Sequence, residues 1–496
     1  MNRQIRKLAG GLLVLYLALF VTLNVVQVAK KDALDAHPQN NRQTIRDFNR
    51  MRGPIVTADG VVIARSVPTE TGAPYKYQRT YPDSLLFSHL TGYYTFSFGS
   101  TQLEKTQSDV LMGDTTPQKV NSLLGGADNT GSVQLTVRAD LQRVAAEALG
   151  EREGSVVVMD PATGAVLAMV SFPTYDANAV ADPDTKYAEN VLDFLNSYPG
   201  KPLLANAYRE NYMPGSAFKV ITTGIALENG VTSLDRSWPS EREWVPPQTN
   251  DPIQNYGGSS CGGSMAEVFY RSCNIPFAQL ATELGPQRMT DGVSAWGLGE
   301  RLPIDLPGAA ASSFCGNVTP CDAAFFNDQL PLLAIGGFGQ GNDLMVPLHM
   351  CMVASTVANG GRMMVPHVVD ATLAHNGSLL SRTAPAVWKT PISPTTAGTL
   401  NDLMVGVVNN GTGKAMQLAN GIQAAAKTGT AQLNFVEGEP QRSHAWIIGF
   451  APAEAPRYAV AVILKGTTDE ISAGTGGRLA GPIAKTVLDY LFANEN

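Results

Sequence analysis

The chain has 496 residues, of which 44% are hydrophobic and 16% are charged, and its formal net charge is −7. This length predicts about two to four domains, and the composition is that of a folded chain and not of a disordered one. Basic residues form no run beyond the first few positions, which argues against nucleic acid as a partner.

An apolar segment lies near the N-terminus. Residues 8–29 contain no charged side chain, and the segment is about as long as the ~20 residues that a helix needs to span a bilayer. Arg3, Arg6 and Lys7 precede it, which predicts that residues 1–7 stay in the cytoplasm. The alternative is a cleaved signal peptide, which has a shorter apolar region and a small-x-small cleavage site that is not evident here. We therefore expect a single-pass anchor in the plasma membrane, with the remaining chain on the extracytoplasmic side.

The chain changes character at about residue 130. Residues 30–48 are polar and are predicted to form a stalk, and short strands and loops follow, with a hairpin turn at Asp59-Gly60. No catalytic motif is evident in this region. We expect a β-rich, non-catalytic module over residues 30–130 and a second domain over residues 131–496.

The second domain is predicted to combine a sheet with a helical block. β-Branched and apolar residues predict a hairpin over residues 155–171, near the start of the domain. Helices are predicted in the middle, for example over residues 218–230 and 277–285. Three further strands are predicted near the end, in AAAKTGTAQL, SHAWIIGF and RYAVAVILKG, before a last helix in GPIAKTVLDYLFA. Strands at both ends of a helical block indicate an α+β domain.

The stretch Ser216-Ala-Phe-Lys219 places a hydroxyl and an amine three residues apart. Pro214-Gly215 favours a helix that starts near Ser216, so that both side chains lie on one face. A serine becomes a nucleophile when a base takes its proton, and a lysine is such a base only if burial or a second cation lowers its pKa. The alternative is a capping serine and a solvated lysine. The apolar helix that follows favours a buried Lys219.

A second short motif is Ser272-Cys273-Asn274, between two predicted helices. From such a connection Ser272 and Asn274 can point into one cleft, where a hydroxyl relays a proton and an amide both donates and accepts hydrogen bonds. The alternative is an ordinary helix cap, which is the commoner use of these residue types.

A third motif is Lys427-Thr428-Gly429-Thr430, at the head of a predicted strand. Lys427 and Gly429 are expected to share a face, because side chains alternate along a strand. A cation beside a position without a side chain would let an extended substrate add to the sheet edge. The alternative is a solvent-facing lysine on a strand that follows a turn.

The chain has five cysteines. Disulfides are permitted on the extracytoplasmic side of the membrane. Cys315 and Cys321 flank a short loop and are candidates for one bridge, and Cys261 and Cys273 are candidates for a second. Cys351 lies in an apolar, helix-like run and is expected to be buried. Because the C-x-x-C spacing of zinc sites is absent, no metal site is predicted.

The motifs S-x-x-K, S-x-N and K-T-G occur in this order within one predicted domain. Together with RGPIVTADGVVIARS, VVVMDPATGAVLAMVSFPTYD and SHAWIIGFAP, they resemble the class B penicillin-binding proteins. The resemblance covers nearly the whole chain. It implies the penicillin-recognising serine transpeptidase fold, in which an antiparallel five-stranded sheet packs with a helical block. It also implies a peptidoglycan D,D-transpeptidase for division or cell shape that β-lactams acylate and that uses neither a metal nor an organic cofactor.

The same resemblance implies catalytic roles for three residues. Ser216 attacks the carbonyl between the two D-alanines of a stem peptide, and Lys219 is its general base. Ser272 passes the proton to the leaving D-alanine. A neighbouring stem peptide then attacks the acyl-enzyme and forms the cross-link.

The resemblance also implies how the substrate is held. Asn274 holds the substrate amide and helps to position Lys219. Lys427 adds positive charge, and Thr428 helps to bind the substrate carboxylate. Gly429 belongs to the strand along which the substrate lies. The backbone N–H groups of Ser216 and Thr430 form the oxyanion hole.

Other functions are less well supported by the sequence. An inactive division scaffold would not need all three motifs, and a class A β-lactamase needs an E-x-x-N segment that is absent between Asn274 and Lys427. A D,D-carboxypeptidase shares the chemistry and differs only in using water as the acceptor, so it stays open. The N-terminal module is too short for a glycosyltransferase domain. The resemblance therefore implies a membrane glycosyltransferase or other division proteins as partners.

Overall fold

The computed structural model describes residues 2–29, 42–70, 75–123, 129–433 and 441–494. Part of the predicted stalk, residues 30–41, lies outside the described residues. The chain forms two compact units, Met1–Met51 with Ser66–Gln78 and Arg52–Arg65 with Arg79–Asn496.

The helices of the described residues are numbered in chain order. They are α1 Asn2–Asn24, α2 Arg42–Phe48, α3 Ser84–Thr91, α4 Gln102–Thr106, α5 Ser108–Met112, α6 Thr116–Leu123, α7 Ala139–Leu149, α8 Ala177–Val180, α9 Thr185–Ser197, α10 Asn206–Arg209, α11 Lys219–Glu228, α12 Met265–Tyr270, α13 Ile275–Ala295, α14 Ala323–Asn327, α15 Leu330–Gly336, α16 Pro347–Ala358, α17 Pro394–Asn410, α18 Asp469–Ala473 and α19 Gly476–Ala493.

The strands are numbered in the same way. They are β1 Ile55–Val56, β2 Val62–Pro68, β3 Tyr77–Thr80, β4 Tyr94–Thr95, β5 Gly99–Ser100, β6 Ser132–Leu135, β7 Gly154–Met159, β8 Val166–Phe172, β9 Ser237–Glu241, β10 Glu243–Trp244, β11 Ile253–Gln254, β12 Cys261–Ser264, β13 Met363–Met364, β14 Val369–Leu373, β15 Leu379–Arg382, β16 Val387–Lys389, β17 Ala425–Gln432, β18 Ser443–Ala451 and β19 Tyr458–Leu464.

The first unit contains the apolar N-terminal helix. Among the described residues, one helix is long and apolar enough to cross a membrane, and it covers Arg3–Gln27. It includes most of the predicted anchor at residues 8–29. The rest of this unit includes α2, and the ring of Phe48 contacts that of Tyr75 at a centroid distance of 5.2 Å.

The second unit is built on an antiparallel five-stranded sheet in the order β17-β18-β19-β7-β8. The predicted hairpin forms its β7 and β8, and the three strands predicted near the end of the domain form the rest. Helix α16 packs on one face of the sheet, and α7 and α19 pack on the other. The predicted α+β fold, with strands from both ends of the chain around a helical block, is therefore confirmed.

Alternating side chains divide the core of this unit between the two faces of the sheet. On β7, Val157 and Met159 lie in the cluster beneath the helical block, whereas Val156 and Val158 lie in the cluster beneath α7 and α19. All four side chains are buried. A strand covered on both faces is apolar throughout, which explains the uninterrupted run SVVVM.

A second sheet joins segments that are far apart in the sequence. Its order is β15-β14-β6-β1-β2-β3, and β6 pairs with β1 in parallel and with β14 in antiparallel register. Strands from both sides of residue 130 therefore share one sheet. The sequence did not predict this pairing, because the partners of β6 are not its neighbours in the chain.

Trp446 connects the five-stranded sheet to the segment before Ser216. Its side chain is fully buried on β18, and its indole Nε1–H donates to the carbonyl oxygen of Met213 at 2.9 Å. Its ring also meets that of Tyr212 edge-on at 6.2 Å. The tryptophan therefore fixes the distance between the sheet and the following turn.

We predict that Trp446→Ala lowers the free energy of unfolding by about 3–5 kcal/mol, because it leaves a cavity in a closed core. Urea titration followed by circular dichroism measures this loss. Trp446→Phe is the matched control: it keeps most of the packing but removes the donor to Met213, and we expect a loss of about 1–3 kcal/mol. A loss below about 1 kcal/mol in Trp446→Ala would contradict the assignment.

Candidate active site

Ser216 lies in a tight turn between a glycine and a helix. Residues Gly215–Phe218 form a 3-10 turn that continues directly into α11. The sequence predicted a helix from near Ser216, but the α-helix itself begins at Lys219. Side chains at positions i and i+3 of a 3-10 turn eclipse each other, so Ser216 and Lys219 still face the same side.

Two glycines bring this turn against β17. Gly215 takes φ 55°, and a Cβ atom there would lie 2.6 Å from the carbonyl oxygen of Thr430. A Cβ atom at Gly429 would lie 2.5 Å from the carbonyl oxygen of Pro214. The glycine of K-T-G thus makes room for the turn that carries Ser216, whereas the sequence interpretation assigned that room to an extended substrate.

Lys219 is completely buried, which excludes the alternative of a solvated lysine. Its Nζ donates to the carbonyl oxygens of Ser272 at 2.8 Å and Cys273 at 2.7 Å, and to Oδ1 of Asn274 at 3.0 Å. Burial and the nearby charge of Lys427 hold the pKa of Lys219 well below that of an ordinary lysine. The three acceptors raise the pKa of Lys219 in opposition to these effects, because they match the three N–H donors of the protonated amine and so stabilise it.

Lys427 is the second completely buried lysine of the site, so it does not face solvent either. Its Nζ donates to Oγ of Ser272 at 2.9 Å and to the carbonyl oxygen of Thr428 at 3.0 Å. Burial lowers the pKa of Lys427 to about 7. Nζ of Lys219 lies 3.4 Å from the same Ser272 hydroxyl. One hydroxyl therefore contacts two buried amines, so a proton can pass through it from one amine to the other.

The backbone of Ser272 is in the left-handed region, with φ 62°. This conformation costs a non-glycine residue free energy, so the surrounding structure must impose it. The Cys261–Cys273 disulfide ties the next residue to β12. Asn255 Oδ1 then accepts hydrogen bonds from the backbone N–H groups of Asn274 and Ile275.

Asn274 is not a side-chain cap of α13, because its side chain makes no capping hydrogen bond to that helix. Its Oδ1 accepts from Lys219, and its Nδ2 donates to the carbonyl oxygen of Gln254 at 3.0 Å. The second N–H of the amide makes no hydrogen bond within the part of the chain that the structure describes. The motif S-x-N thus faces Lys219 and does not serve as a helix end.

The hydroxyls of K-T-G-T have their own partners. Oγ1 of Thr428 lies 2.5 Å from Oγ1 of Thr412, and Oγ1 of Thr430 accepts from the backbone N–H of Gly476 at 3.3 Å. Gly476 is the first residue of α19, whose free N–H groups favour negative charge. Two threonine hydroxyls, the N-terminus of α19 and Lys427 therefore lie together along β17.

The structure joins both of the candidate cysteine pairs. Cys261 and Cys273 form one disulfide and Cys315 and Cys321 a second, each with a Cα–Cα distance of 5.6 Å. Cys351 is buried and unpaired, and burial raises the pKa of its thiol. In the part of the chain that the structure describes, no group of three or more His, Cys, Asp or Glu residues is arranged to hold a metal ion.

The three motifs lie close together in this region: Lys219 and Lys427 both contact Ser272, and the turn that carries Ser216 lies against β17. Two further residues join them. Asn255 lies 19 residues before Asn274, and Thr412 lies 16 residues before Thr428. Neither belongs to a short motif. Their contacts arise from loops that the fold brings back to the site, so the three motifs did not predict them.

Comparison with known proteins identifies the family. The family model described as "Penicillin binding protein transpeptidase domain" matches residues 154–489, and "Penicillin binding protein A dimerisation domain" matches residues 52–133. The chain is 35% identical to the peptidoglycan D,D-transpeptidase PbpA of Mycolicibacterium smegmatis, and the alignment covers 98% of each chain. It is 33% identical to PbpA of Mycobacterium tuberculosis over 100% of both chains.

Solved structures agree with these relatives. The structure of penicillin-binding protein A from M. tuberculosis as a ceftriaxone acyl-enzyme matches with a TM-score of 0.82 and 31% identity, over 90% of this chain and 99% of that one. The penicillin G acyl-enzyme of the same protein matches with a TM-score of 0.79 and 31% identity, over 89% of this chain and 100% of that one. The resemblance carried by the three motifs is confirmed, and the chain belongs to the family of penicillin-binding transpeptidases.

Proposed function

We propose that this protein is a peptidoglycan D,D-transpeptidase that cross-links stem peptides through an acyl-enzyme on Ser216. The observation that carries the proposal is the position of the Ser272 hydroxyl, 2.9 Å from the amine of Lys427 and 3.4 Å from that of Lys219. A buried serine turn beside two amines with lowered pKa values suits acyl transfer, in which a proton must leave one atom and reach another.

Acylation starts with the attack of Ser216 Oγ on the carbonyl carbon between two D-alanines. Lys219 takes the hydroxyl proton, and the backbone N–H groups of Ser216 and Thr430 stabilise the oxyanion. The C–N bond then breaks, and the proton passes through Ser272 to the departing amine of D-alanine. Lys219 can accept a proton only when its nitrogen presents a lone pair, so one of its three donated hydrogen bonds must be absent in the reactive state.

The leaving D-alanine carries a carboxylate, which binds at Lys427, Thr428 and Thr430. The amide of Asn274 binds the peptide group that precedes the reacting carbonyl. Gly429 keeps the strand close to Ser216. β-Lactams present the same carboxylate and amide, so they acylate Ser216 in place of the stem peptide.

The amine of a second stem peptide completes the reaction. It attacks the acyl-enzyme carbonyl, forms the new C–N bond and releases Ser216. Water in place of this amine would make the protein a D,D-carboxypeptidase, and fast hydrolysis of a β-lactam adduct would make it a β-lactamase. An inactive division scaffold would not require two buried lysines, whose desolvation destabilises the folded chain.

The chain organisation follows from the same assignment. Residues 1–7 are the cytoplasmic tail, residues 8–29 the membrane anchor, residues 30–130 the non-catalytic module and residues 131–496 the transpeptidase domain. The apolar helix over Arg3–Gln27 supports the anchor. Two disulfides support an extracytoplasmic position of the catalytic part, because disulfides persist in oxidising compartments. A membrane glycosyltransferase or another division protein supplies the glycan strands that this chain cannot polymerise.

We expect fluorescent penicillin to label the wild-type protein covalently and to leave Ser216→Ala unlabelled, because the variant has no nucleophile. Mass spectrometry should locate the adduct on Ser216. Ser294→Ala, which removes an exposed hydroxyl on α13, is the matched control and should label like the wild type. An unlabelled wild type would contradict the proposed function, and release of the label within seconds would indicate a β-lactamase.

The pH dependence of penicillin acylation tests the role of the second lysine. A positive charge on Lys427 lowers the pKa of Lys219, so Lys219 loses its proton at a lower pH than it would alone. In Lys427→Met the rising limb of the rate against pH should therefore move to higher pH. At neutral pH the rate should fall by about 10²–10³-fold, as for loss of one electrostatic group.

Lys485→Met is the control for this experiment. Lys485 is a partly exposed lysine on α19 that pairs with Asp489, far from the motifs in sequence. Its replacement should leave the pH profile where it is. A rising limb at the wild-type pH in Lys427→Met would exclude Lys427 as the group that lowers the pKa of Lys219.

A further inference from the structure

The outer edge of β17 is the place where a bound peptide would pair with the sheet. β17 is an edge strand, because only β18 lies beside it in the five-stranded sheet. Alternate residues of such a strand turn their N–H and C=O groups outward. The N–H of Leu433 donates to the carbonyl oxygen of Arg442, so Leu433 faces β18. The residue before it, Gln432, therefore faces outward, and so do Thr430 and Thr428 at every second position.

The outward groups of Gln432 are already occupied. The side-chain amide of Gln340, oriented by its partners, donates to the carbonyl oxygen of Gln432 at 3.1 Å and accepts from its N–H at 3.2 Å. This exchange of two hydrogen bonds is the one that a residue of an antiparallel strand would make. Gln340 therefore takes the place of a strand residue at the end of the edge.

The backbone of Gln340 is held next to Ser216. Gly339 and Gly341 flank it with φ 82° and 75°, and the N–H of Gly215 donates to the carbonyl oxygen of Gly339 at 2.8 Å. A Cβ atom at Gly339 would lie only 2.0 Å from the carbonyl oxygen of Gly215. The loop that carries Gln340 is thus fixed at one end by the nucleophile turn and at the other by β17.

We infer that Gln340 ends the peptide-binding edge immediately after Thr430 and so limits main-chain recognition of the donor stem peptide to its reacting residue. This inference rests on the proposed function. The reacting residue places its carbonyl on the N–H of Thr430. In antiparallel pairing, the residue two positions upstream in the peptide would lie opposite Gln432, where Gln340 excludes it. The upstream part of the stem peptide must therefore leave the sheet edge, and it gains no main-chain hydrogen bond there.

Two synthetic peptides that end in D-Ala-D-Ala test this limit. They differ only in N-methylation of the residue two positions upstream of the penultimate D-alanine, which removes the N–H that would pair with Gln432. The measured quantity is the ratio of kcat/KM for the unmethylated peptide to that for the methylated peptide, in the full-length protein in detergent. In the wild type we expect a ratio close to one.

In Gln340→Ala the edge at Gln432 is open, and the ratio should rise by about 2- to 12-fold, as expected for one hydrogen bond. Because both peptides are measured on the same preparation, a partly misfolded variant changes both rates but not their ratio. Gln340→Asn, whose amide is one methylene shorter, should behave in the same way. Gln441→Ala is the matched control and should keep the wild-type ratio. Gln441 donates to the carbonyl oxygen of Leu433, which follows Gln432 in the chain, and not to the outer edge of β17.

A wild-type ratio as large as that of Gln340→Ala would overturn the inference, because Gln340 would then yield to the peptide. A ratio close to one in both Gln340 variants would also overturn it. Fluorescent penicillin, which has no upstream peptide residue whose main-chain N–H could pair with Gln432, is tested on the wild type in parallel. If fluorescent penicillin fails to label the protein, the proposed function is contradicted. If it labels the protein and the ratios differ from those expected, only the role of Gln340 is contradicted.

Discussion

The burial of two lysine side chains is the constraint on which the site depends. Each ammonium group loses its hydration, and the folded chain must replace it with carbonyl oxygens and hydroxyls. Lys219 obtains them from the S-x-N connection, and Lys427 from Ser272 and its own strand. The connection after α12 is therefore as much a support for the lysines as a source of a proton relay.

Close backbone approach is the second requirement. The turn before α11 touches β17, and the proposed oxyanion hole of the Ser216 and Thr430 N–H groups requires this contact. Gly215 and Gly429 allow the contact, and Trp446 on β18 holds the segment before the turn through its bond to Met213. The oxyanion site is thus a property of packing between a helical block and a sheet, and neither element could form it alone.

The sequence predicted features whose signals are local. Apolar runs identified β7, β8 and the three late strands, and the order of the three motifs identified the family and singled out residues that the structure brings around Ser272. The left-handed backbone of Ser272, the support from Asn255 and the Thr412–Thr428 contact were not predictable, because each depends on segments that only the tertiary structure brings together. The reason for Gly429 was also misread, since its neighbour is the nucleophile turn and not an open groove.

The sheet that contains β6 has a consequence for how the protein is made. β1 emerges from the ribosome hundreds of residues before β14 and β15, yet all of them belong to one sheet. During synthesis, the antiparallel side of β6 stays unpaired until β14, which ends at Leu373, has been made, and exposed strand edges of this kind favour aggregation. A newly made chain therefore passes through a stage in which β6 and β1 are present and one edge of their sheet is open.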